Sequence, residues 1–274
     1  MDWKTVGHLQ IKSLFQGTLK GEAFAHAYAF VGPKGVGKFK LAEEIASQLL
    51  GSESKGHPDF LFFDAGVNSD IETLRAFLAR TSFAPVKSSN TVVIIDNVDS
   101  IPQSNANVLL KILEEPSPRA IFFLISHTKR LPSTVYSRCV VCSFSSLLER
   151  ELQLLSNEAG LVVTKEELLA ASGSFGSLLR LKGDPRFATV ILPFAQFVAS
   201  LESKSRSERL LMIQSSSEVE PEVLYSMIFT SICLLKDKLK GTPSVWKSLS
   251  GLLEAIFLTN TNTNKKLILQ SILL

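Results

Sequence analysis

The sequence predicts a doubly wound α/β domain followed by helices, and three observations carry the prediction. Short, almost wholly apolar runs recur through the first half of the chain, each bounded by turn or polar residues. That is the composition of a parallel strand buried on both faces. Between these runs, apolar residues return every third or fourth position, the stripe of a helix facing a core. After Phe144 the strand pattern stops while the helical spacing continues to the last residue.

The elements follow in order. AYAFVG (Ala27 to Gly32) is an apolar run closed by glycine and predicts a buried strand. From Lys38 to Leu50, Leu41, Ile45 and Leu49 recur every fourth residue and predict a helix. DFLFFDA (Asp59 to Ala65) predicts a second strand. The segment after it places Ile71, Leu74, Phe77 and Leu78 on one helix face, with Ser69 as the cap. TVVIIDNVDSI (Thr91 to Ile101) has four consecutive aliphatics ending in an aspartate, a strand covered on both faces. NANVLLKILEEPSPR puts Ala106, Leu109, Leu110 and Leu113 on a helix that Pro116 ends. AIFFLIS and CVVCSF supply two more strands. Residues 146–183 read as short helices, GDPR (Gly183 to Arg186) as a linker, and the remainder as helical, with Leu224, Met227, Ile228 and Ile232 at helical spacing. The expected organisation is therefore an α/β domain over 1–145, a small helical domain over 146–184 and an all-helical domain over 185–274.

Composition narrows the function classes. With 45% hydrophobic and 20% charged residues among 274, the chain is that of an ordinary globular protein. A net charge of +3 is compatible with nucleic acid as a partner and equally with a mildly basic enzyme. The N-terminus lacks the pattern of a signal peptide, and runs such as AIFFLI are too short to span a bilayer. Three cysteines do not make a disulfide framework, so a reducing cytoplasm and no membrane are expected. Cys139 and Cys142 have redox spacing but lie in a β-branched run, not at a helix start. The four histidines are scattered without a metal-ligand partner at i+4, so no metal site made of side chains is expected.

The chemistry-bearing stretch is VGPKGVGKFK, which opens the first predicted βα unit. Gly32, Gly37 and Lys38 match G-x-x-x-x-G-K-[ST], and Gly35 adds a further turn residue inside the loop. Such a loop turns backbone N–H groups onto phosphates at a helix N-terminus, and its lysine reaches the outer phosphates. The Ser/Thr hydroxyl that would bind magnesium is replaced by Phe39, which offers no oxygen. Asp96 ends the third predicted strand, where a carboxylate would hold magnesium through water. The next residue is Asn97, an amide that cannot take a proton from an attacking water at neutral pH. Both changes predict a loop that does not hydrolyse nucleotide. Glu114 and Glu115 read as a solvated helix end, and Asp99 as a turn or cap residue with a surrogate base as the other reading.

Several stretches together resemble a known family. HAYAFVGPKGVGK (26–38), HPD (57–59), VVIIDNVDSI, NANVLLKILEEPSP (105–118) and SRC (137–139) occur in the order seen in bacterial clamp-loader subunits of the AAA+ type. The closing NTNTNKKLILQSILL (260–274) is similar to that family's C-terminal helix. The resemblance implies an AAA+ P-loop domain, a small helical lid and a helical collar that holds a ring of subunits together. The altered loop and strand end look like the delta-prime branch of DNA polymerase III clamp loaders; ATP-hydrolysing gamma/tau subunits keep Lys-Ser/Thr and Asp-Glu. The family's GS-x-R arginine falls at Gly176 in ASGSFGSLLRL, with Arg180 one turn later. The four-cysteine zinc insert of many relatives is replaced by GSESKG (51–56), so zinc is not carried over. Ser126 falls near the phosphate-sensing position and reads as structural.

What the resemblance implies for function centres on Arg138. In SRC the arginine reaches toward ATP bound by the neighbouring subunit, a trans arginine finger. Gly32, Gly35, Gly37, Lys38 and Asp96 would form a degenerate nucleotide site, with no cofactor required and at most weak or vestigial ATP or ADP binding. The implied partners are gamma/tau and delta subunits, the sliding clamp and primer–template DNA. The implied role is a hydrolysis-deficient stator, and the alternative is a gamma/tau-like motor that hydrolyses ATP itself.

Overall fold

The computed structural model describes residues 3–19, 24–68, 70–102, 105–127, 132–216 and 219–235. The expected C-terminal helix over 260–274 lies outside these residues. Five strands, β1 (Ala27–Val31), β2 (Phe60–Asp64), β3 (Thr91–Asp96), β4 (Ala120–Ser126) and β5 (Val140–Ser143), pair in the order β2-β3-β4-β1-β5. Every pairing is parallel, as the unbroken apolar runs require.

Side chains alternate along each strand, so each run feeds two cores. Tyr28, Phe30, Ile94, Phe123 and Ile125 pack on one face with Phe15 of α1 (Leu9–Leu19) and with Leu41 and Ile45 of α2 (Lys38–Leu50). Val93, Ile95, Phe122 and Leu124 pack on the other face with Leu74 and Leu78 of α3 (Ile71–Ala79) and with Leu109 and Leu113 of α4 (Asn107–Glu114). Each fully buried side chain of this size contributes roughly 1.5–3 kcal/mol. Phe15 anchors an aromatic cluster, 4.9 Å from Tyr28 and 6.0 Å from Phe123 between ring centroids. At the sheet edge, Val140 and Val141 of β5 are exposed where all five residues of β1 are buried.

Two local details of the α/β unit depart from the sequence reading. Helix α1 was not expected, because its inward stripe of Ile11, Lys12, Phe15 and Thr18 contains a lysine and a threonine. Lys12 is accommodated by donating to the carbonyl of Thr5. The cap of α3 is Asp70, whose carboxylate accepts the Thr73 N–H at 2.8 Å; Ser69, the expected cap, lies outside the described residues.

The described residues fall into two compact units that meet between Ser146 and Leu147. The second unit is helical: α6 (Glu149–Glu158), α7 (Lys165–Ala171), α8 (Phe175–Gly183), α9 (Pro185–Ala199), α10 (Arg206–Ser216) and α11 (Pro221–Leu235), with α5 (Ser133–Tyr136) belonging to the first unit. Thr164 and Glu167 form a reciprocal capping box at the start of α7. GDPR, read from the sequence as a linker, is a one-residue corner here. Gly183 ends α8, Asp184 accepts the Phe187 N–H at 3.1 Å, and Pro185 begins α9. Helix α9 packs on α7, α8 and α11, with Leu224, Met227 and Ile228 of α11 buried.

Candidate functional site

Loops that leave the carboxyl ends of parallel strands gather at one edge of the sheet. The segment 32–37 leaves β1 there, flanked by β4 and β5. Gly32, Gly35 and Gly37 hold φ of 154°, 76° and 100°, a backbone path open to glycine. A Cβ on Gly32 would stand 2.2 Å from the Phe144 carbonyl oxygen, so the chain passes where only glycine fits. Gly37 then caps α2, and Lys38 is its first residue. Lys38 is 3% exposed and folds back on the loop, donating to the carbonyls of Gly32 at 2.7 Å and Pro33 at 2.5 Å. Burial pushes its ammonium down to about 7, opposed by the nearby Asp96 and Asp99 carboxylates, with Lys34 adding to the fall. His8 donates from Nε2 to the Val36 carbonyl at 2.8 Å, tying the loop to the segment before α1.

Phe39 points into apolar surroundings. Its ring meets Phe62 of β2 edge-on at 5.1 Å and packs against the core on the α2 side. The position that would offer a hydroxyl to a magnesium–nucleotide offers a ring engaged with another ring.

Parallel register sets Asp64 of β2 beside Asp96 of β3. Burial raises the Asp96 pKa and Asp64 adds to the rise, while the Asn97 N–H, donated to Asp96 Oδ1 at 2.8 Å, and Lys38 oppose it. Asn97 turns the chain with φ of 54°, a left-handed conformation that asparagine tolerates. Its Nδ2 donates to Asp64 Oδ1 at 2.8 Å, and its Oδ1 lies 2.8 Å from His127 Nε2. An amide oxygen only accepts, so His127 carries its proton on Nε2. The other ring nitrogen is buried without a hydrogen-bond partner. Burial, with Lys38 and Lys34 nearby, holds the His127 pKa down to about 3, so the ring is neutral at ordinary pH. Asp99 accepts the His127 backbone N–H at 3.2 Å. Asp64 and His127 were not singled out from the sequence. The signal for His127 was its place directly after β4, one residue beyond the flagged Ser126, which is fully buried in the strand.

Thus Gly32, Gly35, Gly37, Lys38 and Asp96 share one edge of the sheet. Arg138 makes its contacts elsewhere. It follows α5, and its Nη2 pairs with Glu114 Oε1 at 2.7 Å, while Nη1 donates to the Thr134 carbonyl at 2.9 Å and to Ser137 Oγ at 3.3 Å. The Arg138 side chain is 35% exposed and that of Glu114 51%. In the second unit, the Arg180 guanidinium lies 4.3 Å from the Phe187 ring centroid and its Nε 3.5 Å from Asp184. Burial pushes the Cys139 and Cys142 thiols up to about 11, which removes thiolate chemistry at neutral pH. Among the described residues no cluster of His, Cys, Asp and Glu could hold a metal ion, and no helix is long and apolar enough to cross a membrane.

The family described as DNA polymerase III, delta subunit, matches residues 7–148. The chain belongs to that family. The clamp-loader resemblance read from the sequence is thereby borne out. Over 187 residues the chain is 29% identical to DNA polymerase III subunit tau of Bacillus subtilis, covering 62% of this chain and 33% of that protein. Over 175 residues it is 33% identical to DNA polymerase III subunit delta' of Pseudomonas aeruginosa, covering 54% of this chain and 53% of that one. The chain therefore spans about a third to a half of these curated relatives. Among solved structures, the Thermotoga maritima RuvB Holliday junction branch migration motor superposes with a TM-score of 0.51 at 18% identity, covering 97% of this chain and 88% of that one. That likeness is one of fold, a parallel α/β sheet flanked by helices. Relatives named tau and relatives named delta' both resemble the chain.

Proposed function

We propose that this member of the delta-subunit family is a delta-prime-type clamp-loader subunit of DNA polymerase III that does not hydrolyse ATP at its own loop. The observation that carries the reading is the engagement of Asn97: its amide bridges Asp64 and His127, where a hydrolytic subunit would place a carboxylate free to activate water. Phe39, packed on Phe62, supports it from the metal side. The loop backbone remains suited to phosphate, so vestigial ATP or ADP binding is compatible with the role, and no cofactor is required for it.

In this reading Arg138 supplies a planar cation to ATP held by a neighbouring gamma/tau subunit, stabilising charge that grows on the transferred phosphoryl group. Residues 146–184 act as a lid and 185–274 as the collar through which gamma/tau and delta subunits assemble. The complex acts in the cytoplasm on the sliding clamp and primer–template DNA. The second reading, a gamma/tau-like motor, is favoured by the tau relative. The experiment that separates them measures ATP turnover by the purified chain, then by the chain reconstituted with gamma/tau and delta subunits. A stator is silent alone and supports clamp loading in the complex. DNA-stimulated turnover by the chain alone, abolished by Lys38→Ala, would establish the motor instead.

A further inference from the structure

Glu114 is the last residue of α4, the helix that follows the turn carrying Asp99, and it faces Arg138 across the contact between α4 and α5. The carboxylate takes one limb of the guanidinium at 2.7 Å, and the Thr134 carbonyl and Ser137 hydroxyl take the other. The carboxyl end of α4 carries partial negative charge, which adds to that of Glu114. Arg138 is thus drawn onto acceptors of its own subunit, with its charge matched where it lies.

We propose that Glu114 is a positioning residue that parks Arg138 against its own subunit until a neighbour's phosphate displaces it. The inference rests on the reading of Arg138 as a cation for a neighbouring ATP site. A guanidinium clasps phosphate through its planar fork, and one limb held by a carboxylate leaves the fork incomplete. The paired carboxylate would also stand beside the phosphate and repel it. Both partners are partly exposed, so the pair is of the exchangeable surface kind. Such a pair favours the parked position over free rotamers by about two- to five-fold. ATP, with several negative charges on adjacent oxygens, outcompetes a single carboxylate once a neighbour presents it, which couples the cation's release to an occupied neighbouring site.

The test uses the full chain with Glu114→Gln, which removes the charge and keeps the shape. In the isolated chain, phenylglyoxal modification of Arg138, followed by peptide mass mapping, is expected to accelerate about two- to five-fold in the variant. In the reconstituted loader with a gamma/tau subunit, the variant is expected to raise ATP turnover at sub-saturating ATP by a similar factor. It should have no effect in an Arg138→Ala background, a dependence that a merely structural role would not produce. An unchanged modification rate, or turnover that stays level or falls with Arg138 intact, would overturn the parking role. Turnover untouched by Arg138→Ala would instead defeat the trans-cation reading, while the modification rate still reports on the pairing.

Discussion

Asn97 donates its side-chain amide to Asp64 Oδ1 at 2.8 Å and so ties together the carboxyl ends of two neighbouring strands. The same amide meets His127 through its oxygen, so donor and acceptor are both used. Replacing it by a carboxylate loses the donor and sets two like charges face to face. Asn97→Asp is therefore expected to destabilise the chain by roughly 1–3 kcal/mol at pH 7. The new pair raises a folded-state carboxyl pKa above its unfolded value, so the folded state takes up a proton and the loss shrinks as pH falls toward that value. Urea midpoints at pH 7 and pH 5 check this; equal losses at both would exclude the like-charge contact.

His127 predicts an acid limb in the stability curve. Its folded pKa of about 3 lies below the unfolded value of 6.5. Between those values the unfolded chain binds more protons, so stability is fully present above 6.5 and drains away as pH falls toward 3. His127→Gln keeps a donor for Asn97 and removes the titration. Its stability should decline less steeply than that of the parent across this range. Parallel denaturation curves would show that His127 is not buried neutral.

Asp59 is a structural anchor. It is 2% exposed and accepts the N–H groups of Val86, Lys87 and Ser88 at 2.5, 2.8 and 2.7 Å, and the Ser88 hydroxyl at 2.9 Å. Burial alone would raise its pKa, but these donors outweigh it and hold the carboxyl well below the usual range. Asp59→Ala leaves the donors without their acceptor and should cost about 3 kcal/mol or more at pH 7. The contribution is present above the unfolded pKa of 3.8 and lost as pH falls below it, so the gap between parent and variant should close in strong acid. Thermal melts across that range measure it.

Phe39→Ser restores an oxygen at the loop but leaves Asn97 engaged. The variant chain is expected to stay without ATP turnover while losing about 1–2 kcal/mol of stability through the Phe62 contact. A magnesium-dependent ATPase appearing in the isolated variant would show that the aromatic alone silences the loop.

Arg138→Ala should leave the isolated chain's melting point nearly unchanged, because an exposed pair contributes under about 1 kcal/mol. In the reconstituted loader the same change is expected to lower the partner's turnover by roughly 10-fold or more. Wild-type turnover in that assembly would remove Arg138 from the chemistry.

The strands were legible because burial on both faces leaves an unbroken aliphatic signature: the expected run AIFFLIS coincides with β4, and TVVIID opens the expected third strand. Helix α2 spans Lys38–Leu50 as its fourfold apolar repeat predicted. Helix α1 escaped because Lys12 and Thr18 occupy its inward stripe, and a buried lysine satisfied by a carbonyl looks like a surface residue in one dimension. The HPD aspartate carried no visible role, since its partners lie 27 to 29 residues away.

Local chemistry alone establishes which side chains could or could not serve: a phenyl ring brings no metal ligand and a carboxamide brings no base, whatever the fold around them. Where those groups are spent is a matter of three-dimensional contact. Parallel pairing delivers Asp64, Asp96 and Asn97 to one edge, β4 brings His127 to close the bridge, and the packing of α4 on α5 sets Glu114 against Arg138. Those distances arise from residues far apart in the chain, and hydrogen bonds and ion pairs depend on separation in space, which no linear spacing encodes.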